Sequence, residues 1–136
     1  MTKPLRQSRL PSLIVNRADH LRLTSLATAA LDRMPAVAEE LLSELDRARL
    51  VSPERTPRNS VQMGATVTYR SDGLSRTVTL VYPEDADIAE GKVSVMTPIG
   101  AALIGLSANQ SISWTTRDGR RHELEIVNVA PPDTTS

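Results

Sequence analysis

The segment Thr79–Trp114, TLVYPEDADIAEGKVSVMTPIGAALIGLSANQSISW, carries a structural boundary signal every few residues and leaves few choices of fold. Val93 to Val95 alternates apolar and polar side chains, as a half-buried strand does. Thr97 is a helix N-cap type, Pro98 suits the first helical position, and Gly105 can close the helix in a left-handed conformation. The helix so bounded spans about eight residues, roughly 12 Å. Gly100, Ala101 and Ala102 give it almost no bulk, so one face can lie very close to a sheet or to a partner. Leu103, Ile104 and Leu106 are its core anchors. Strand, loop, strand, short helix, turn and strand therefore read as one compact module.

Upstream the period is helical. Leu23, Leu26 and Ala30, with Ala27 and Leu31 beside them, predict a helix from Arg17 to about Arg33, capped by Asn16 with Asp19 in its first turn. Leu13 to Val15 reads as a short strand before it. Met34-Pro35 breaks the helix, and a second runs from Pro35 to about Arg49 on Ala38, Leu41, Leu45 and Ala48. Two such helices across a tight turn fold back antiparallel as a hairpin about 25 Å long. Leu50 to Ser60 holds two prolines and little apolar content, the composition of a linker that allows motion. Beyond it the period becomes two. Ala65, Val67 and Tyr69 alternate with threonines, Ser71-Asp72-Gly73 offers a hairpin turn, and Val78, Leu80 and Tyr82 share a face. Ser111–Thr115 and Arg121–Val129 form a last hairpin around Arg117-Asp118-Gly119.

The expected architecture is α+β. Residues 1–11, with Lys3, Arg6 and Arg9, form a disordered basic tail. Residues 12–50 form a short coiled-coil hairpin, 51–60 the linker, 61–130 an antiparallel five-stranded sheet with one short helix, and 131–136 a second disordered tail.

Composition removes several functions. The chain has 136 residues, with sixteen Lys and Arg against sixteen Asp and Glu. A net charge of zero argues against binding nucleic acid through bulk phosphate neutralisation. No Phe, one Trp and two Tyr cannot build a base-stacking platform. There is no cysteine, which excludes disulfides and thiolate chemistry and fits a reducing cytoplasm. No run reaches the length of a membrane span, and the first ten residues are too polar for a signal peptide. Ser94 and Ser107 lack a neighbouring base, and no glycine-rich phosphate loop is present. His20 and His122 lie in different modules with no cysteine nearby, and the acidic run Glu84, Asp85, Asp87 and Glu90 lacks the ligand alternation of a calcium loop. No metal, cofactor or catalytic residue is expected.

The order "TLVYP", "VSVMTPIGAALIGL", "SISW", extended back through "ELDRARLVSPERTP" and on to "HELEIVNV", resembles the regulator of nucleoside diphosphate kinase (Rnk) family, itself related to the Gre transcript-cleavage factors. The resemblance covers residues 44 to 129. It implies a Gre C-terminal-like, FKBP-like fold. The aromatic pocket of an FKBP prolyl isomerase cannot be assembled from Trp114, Tyr69 and Tyr82 alone, so isomerase activity is not expected.

In Gre factors a long hairpin enters the secondary channel of RNA polymerase and places acidic tip residues beside the catalytic magnesium, where hard cations want oxygen ligands. The corresponding tip here is Asp32, Arg33, Met34 and Pro35, with one carboxylate, on a shorter arm. Glu39 and Glu40 lie about one turn into the second helix. A solvated helix end is the plain alternative for Asp32. The Gre Ser-Pro loop that docks on the channel rim corresponds to Met96, Thr97, Pro98, Ile99 and Gly100; the plain alternative is that these residues only terminate structure. The resemblance thus implies a non-enzymatic regulator that binds RNA polymerase at the secondary channel, competes with Gre-type factors and indirectly alters nucleoside diphosphate kinase levels. The alternatives are an active cleavage cofactor and a direct protein–protein regulator of the kinase.

Overall fold

The structure, a computed structural model, describes residues 13–115 and 119–132. The expected basic tail, most of the second tail and two residues of the Arg117-Asp118-Gly119 turn lie outside the described residues. Element order is β1 (Ile14–Asn16), α1 (Arg17–Ala29), α2 (Pro35–Arg47), β2 (Arg49–Val51), β3 (Thr66–Ser71), β4 (Leu74–Val81), β5 (Lys92–Ser94), α3 (Pro98–Leu103), β6 (Ser111–Thr115) and β7 (Arg121–Ala130). The chain is mixed helix and sheet, with its two longer helices at the N-terminal end.

Helix α1 starts where its cap requires. The Asn16 side chain accepts from Asp19 N at 2.9 Å and its amide donates back to the Asp19 carboxylate at 3.1 Å, relieving unpaired backbone donors of the first turn. Both helices are shorter than expected. Helix α1 stops at Ala29 rather than near Arg33, because Ala30 O receives both Arg33 N and Met34 N in a tight turn and Pro35 disfavours helical backbone at Met34. Helix α2 stops at Arg47 rather than Arg49. Arg49–Val51 instead forms a strand that pairs in parallel with Ile14–Asn16, an interaction between segments separated by the whole hairpin. Each helix has 13 residues, about 20 Å at 1.5 Å per residue. Buried Ala27, Ala30 and Ala38 line the hairpin interior towards the tip, and Leu23, Leu41 and Leu45 fill it nearer the base.

The five-stranded sheet has the order β5-β4-β3-β7-β6. It is not wholly antiparallel. Strand β5 runs parallel to β4, with Thr79 opposite Lys92 and Val81 opposite Ser94. Residues 82–91 carry the chain back through two 3-10 turns, and Asp87 and Lys92 exchange backbone hydrogen bonds at its end. A parallel pairing needs such a return rather than a two-residue turn. Between β3 and β4, Asp72 and Gly73 both take positive φ, the form of hairpin turn that matches strand twist. A bulge between Thr68 and Tyr69 shifts the β3–β7 register and leaves Val127 exposed.

One hydrophobic core joins the hairpin to the sheet. Leu23, Ala27, Leu41 and Leu45 belong to the same cluster as Val67, Leu80, Leu103, Ile104, Leu124 and Ile126. Residues 51–60, expected as a linker, run from the end of β2 through a 3-10 turn at Pro53–Arg55 to buried Ser60. Gln62 follows at 4% exposure. Its amide donates to Ile14 O at 2.8 Å and to Ser60 Oγ at 2.9 Å, and its oxygen accepts from Asn16 N at 3.1 Å. Satisfying every group of a buried amide in this way fixes one arrangement of the segments it joins.

Candidate docking surface and hairpin tip

After β5 the chain turns sharply at Val95-Met96. Ser94 Oγ accepts from Met96 N at 2.9 Å, Thr97 Oγ1 donates to Ser94 O at 2.7 Å, and Gly100 N donates to Thr97 Oγ1 at 3.1 Å. Thr97 is therefore the N-cap that its sequence position suggests, and it also ties the helix start to the strand before it. Helix α3 has 6 residues rather than about eight. Gly105 and Leu106 are drawn off into backbone pairing instead: Gly105, at φ +83°, donates to Val61 O at 2.8 Å, Gly105 O accepts from Ile14 N at 3.0 Å, and Leu106 O accepts from Val61 N at 2.7 Å. This junction holds hairpin, linker and helix end together.

The five residues of the candidate docking loop divide in two. Pro98 is exposed, and Thr97 and Ile99 are partly so, with Ile99 resting on the core. Met96 is 4% exposed and Gly100 is buried, so these two face inward and brace the loop. Gly100 lies directly on the β5 end: a Cβ there would run into the Ser94 carbonyl oxygen and stand 2.8 Å from Val95 Cα. Beside Ile99 is a shallow groove lined by Tyr69, Ser71, Asp72, Leu74, Arg76 and His122. None of these was marked as a site residue by sequence. The available signal was the continued alternation Leu74, Arg76, Val78, Leu80 past the point where α3 can cover it.

At the hairpin end Asp32, Arg33, Met34 and Pro35 are all exposed. Asp32 is the one carboxylate in this turn. Glu40 is half-buried and, with Glu44 and Arg47, lines a crevice closed by Ala102 of α3 and Ile112 of β6. Burial, reinforced by neighbouring Glu44, pushes the Glu40 carboxyl above its ordinary range. Among the described residues no group of three or more His, Cys, Asp or Glu is placed to hold a metal ion. His20 Nε2 sits 3.1 Å from Leu45 O inside the hairpin, and His122 Nδ1 sits 3.1 Å from Asp72 Oδ2. Also among the described residues, no helix is long and apolar enough to cross a membrane.

The acidic loop and the tyrosine before it touch helix α1. Glu84 pairs with Arg22 of α1 at 2.6 Å, and the Arg22 guanidinium lies 3.7 Å from the centre of the Tyr82 ring. The Tyr82 hydroxyl donates to Asp19 Oδ1 at 3.1 Å. Burial, followed by the adjacent Asp19 charge, drives the Tyr82 phenol far above its usual range, so it stays a donor. The exposed ion pair contributes little, whereas a hydrogen bond to a carboxylate is stronger than a neutral one. Tyr82→Phe is expected to lower stability by about 1 kcal/mol, read as a fall of roughly 3–5 °C in thermal melting; an unchanged melt would mean that water replaces the Asp19 contact at no cost.

Comparison with known proteins follows this division of the chain. Residues 11–51 match the Rnk N-terminus family and residues 56–131 match the GreA/GreB transcription elongation factor C-terminal family. The regulator of nucleoside diphosphate kinase of Escherichia coli (strain K12) is 38% identical over 121 residues, 88% of this chain and 89% of that one. The chain belongs to the Rnk family. This Rnk-type chain is also similar to elongation factors: GreA of Roseiflexus castenholzii is 37% identical over 92 residues, which is 66% of this chain but 58% of GreA. In three dimensions this Rnk-type chain is similar to a GreA/GreB elongation factor structure from Nitrosomonas europaea, with a TM-score of 0.71, 32% identity, and coverage of 88% of this chain and 99% of that one. The protein is thus a Gre-like member of a family of regulators related to transcription elongation factors.

Proposed function

We propose that the protein is a non-enzymatic, cytoplasmic transcription regulator that docks on the rim of the RNA polymerase secondary channel through Thr97, Pro98 and Ile99. Its hairpin tip, Asp32 to Pro35, then occupies the channel mouth and excludes Gre-type factors, with altered nucleoside diphosphate kinase levels as an indirect result. The observation that carries this reading is the shoulder of exposed Pro98 and half-exposed Ile99, held rigid by the Thr97 cap and by the seating of Gly100 against β5. A preorganised apolar knob loses little conformational entropy on binding. Kinship with elongation factors supplies the partner.

The tip supports occupancy without cleavage. A second metal at the polymerase centre calls for paired oxygen ligands, and Asp32 stands in the turn beside Arg33. Binding of the chain to immobilised core RNA polymerase is expected to saturate and to be displaced by excess Gre factor. A backtracked elongation complex is expected to release no short RNA when the chain is added. Accelerated release would make the protein a cleavage cofactor. Absence of binding at tens of micromolar, a concentration that detects contacts of about −6 kcal/mol, would turn attention to direct contact with the kinase for which the Escherichia coli relative is named.

A further inference from the structure

We propose that the docking surface continues from Pro98 and Ile99 across the free end of the β3–β4 hairpin, with Leu74 as a second apolar contact and Arg76 as the cation that selects a carboxylate on the polymerase rim. This rests on the polymerase reading above and extends it to residues outside the Pro-containing loop. Leu74, Arg76, Val78 and Leu80 alternate onto one face of β4. Leu80 is fully buried under the core and Val78 is partly buried. Farther along, the sheet outruns the short helix α3, and Leu74 emerges with 59% of its surface exposed. Tyr69, 7% exposed and paired across the strands with Arg76, floors the groove, and Ile99 closes it on the helix side. Ile99 and Leu74 therefore flank a single depression, with Pro98 next to Ile99 in the chain.

Arg76 supplies the charge at its edge. Arg22, Arg47 and Arg70 each reach a carboxylate, on Glu84, Glu44 and Glu125. Among the described residues Arg76 has none; its electrostatic neighbour is the Tyr69 phenol, which burial keeps protonated. The His122 ring in the same groove already faces Asp72. An unpaired guanidinium beside apolar side chains matches a partner surface that presents a carboxylate next to an apolar residue. Charge on this strand has a second possible use. Strand β5 pairs with β4 only from Thr79 to Val81, so residues 74–78 run along a sheet edge, where any charge discourages pairing between copies. Edge protection is satisfied by either sign; recognition of a carboxylate is not.

The deciding experiment measures binding of wild type, Ile99→Asp, Arg76→Lys and Arg76→Glu to immobilised core RNA polymerase, with size-exclusion chromatography of each variant. Arg76→Glu is expected to remain a well-behaved monomeric fold and to weaken binding at least tenfold, roughly the effect of setting like charges against each other. Arg76→Lys should retain most of the affinity. If Ile99→Asp loses binding while Arg76→Glu binds as wild type does, the extension to Arg76 is overturned and the polymerase reading stands. If wild type itself does not bind, the polymerase reading falls and this inference with it.

Discussion

Gly100→Ala is expected to destabilise the protein by about 3 kcal/mol, the upper range for overpacking a closed interior, and to lower its melting temperature by roughly 10 °C. The cause is steric and local. The new methyl group would meet the Ser94 carbonyl oxygen and the Val95 Cα, both backbone atoms that cannot rotate away as a flexible side chain can. To admit it, α3 must lift from the end of β5. That breaks the bonds from Gly100 N to Thr97 Oγ1 and from Thr97 Oγ1 to Ser94 O and disturbs Ala101, Leu103 and Ile104, all buried in the shared core. Thermal unfolding followed by circular dichroism checks this directly. A wild-type melting temperature would mean that the helix is not seated as described, and the rigidity invoked for the docking loop would go with it.

Ile99→Asp is expected to weaken polymerase binding by at least 30-fold, about 2 kcal/mol and the threshold at which an interface residue counts as a hot spot. The change removes the apolar contact and places an unpaired carboxylate in a desolvated interface. Its effect on folding is much smaller because Ile99 packs on the rim of the core rather than within it. Pro98→Glu gives an independent arm. Pro98 is exposed at the first position of α3, where a carboxylate is compatible with the positive end of a helix, so the fold should survive while the apolar shoulder is lost. Binding to core polymerase and the circular dichroism spectrum must be measured together. Wild-type affinity in either folded variant would remove Pro98 and Ile99 from the interface.

The parts of the candidate site that were legible in the sequence are those set by neighbours along the chain. Thr97, Pro98 and Gly100 are three and fewer residues apart, and a hydroxyl before a proline at a helix start has one familiar use, realised here in the bond from Gly100 N to Thr97 Oγ1. The Asn16 cap and the Asp72-Gly73 turn were readable for the same reason. In the sequence Tyr82 is one more face residue of a strand, and Glu84 one member of an acidic run. Their roles depend on Asp19 and Arg22, about sixty positions away in the chain, and nothing in local pattern specifies that meeting. Gln62 was not singled out at all; its importance comes from being enclosed at 4% exposure with Ile14, Asn16 and Ser60 around it.

By itself the sequence determined the two helices, the change from helical to alternating period, and the caps and turns. Those follow from backbone preference and side-chain spacing, which act over a few residues. Tertiary structure alone decided where α2 and α3 stop, because Arg49–Val51 and Gly105-Leu106 gain more from pairing with β1 and Val61 than from another helical turn. It also decided that β5 runs parallel to β4, that Met96 and Gly100 turn inward while Pro98 turns out and Ile99 sits half-exposed on the rim of the core, and that Leu74 and Arg76 lie beside Ile99. These depend on which distant surfaces meet, and burial in a close-packed core, rather than local preference, selects among the arrangements that the backbone permits.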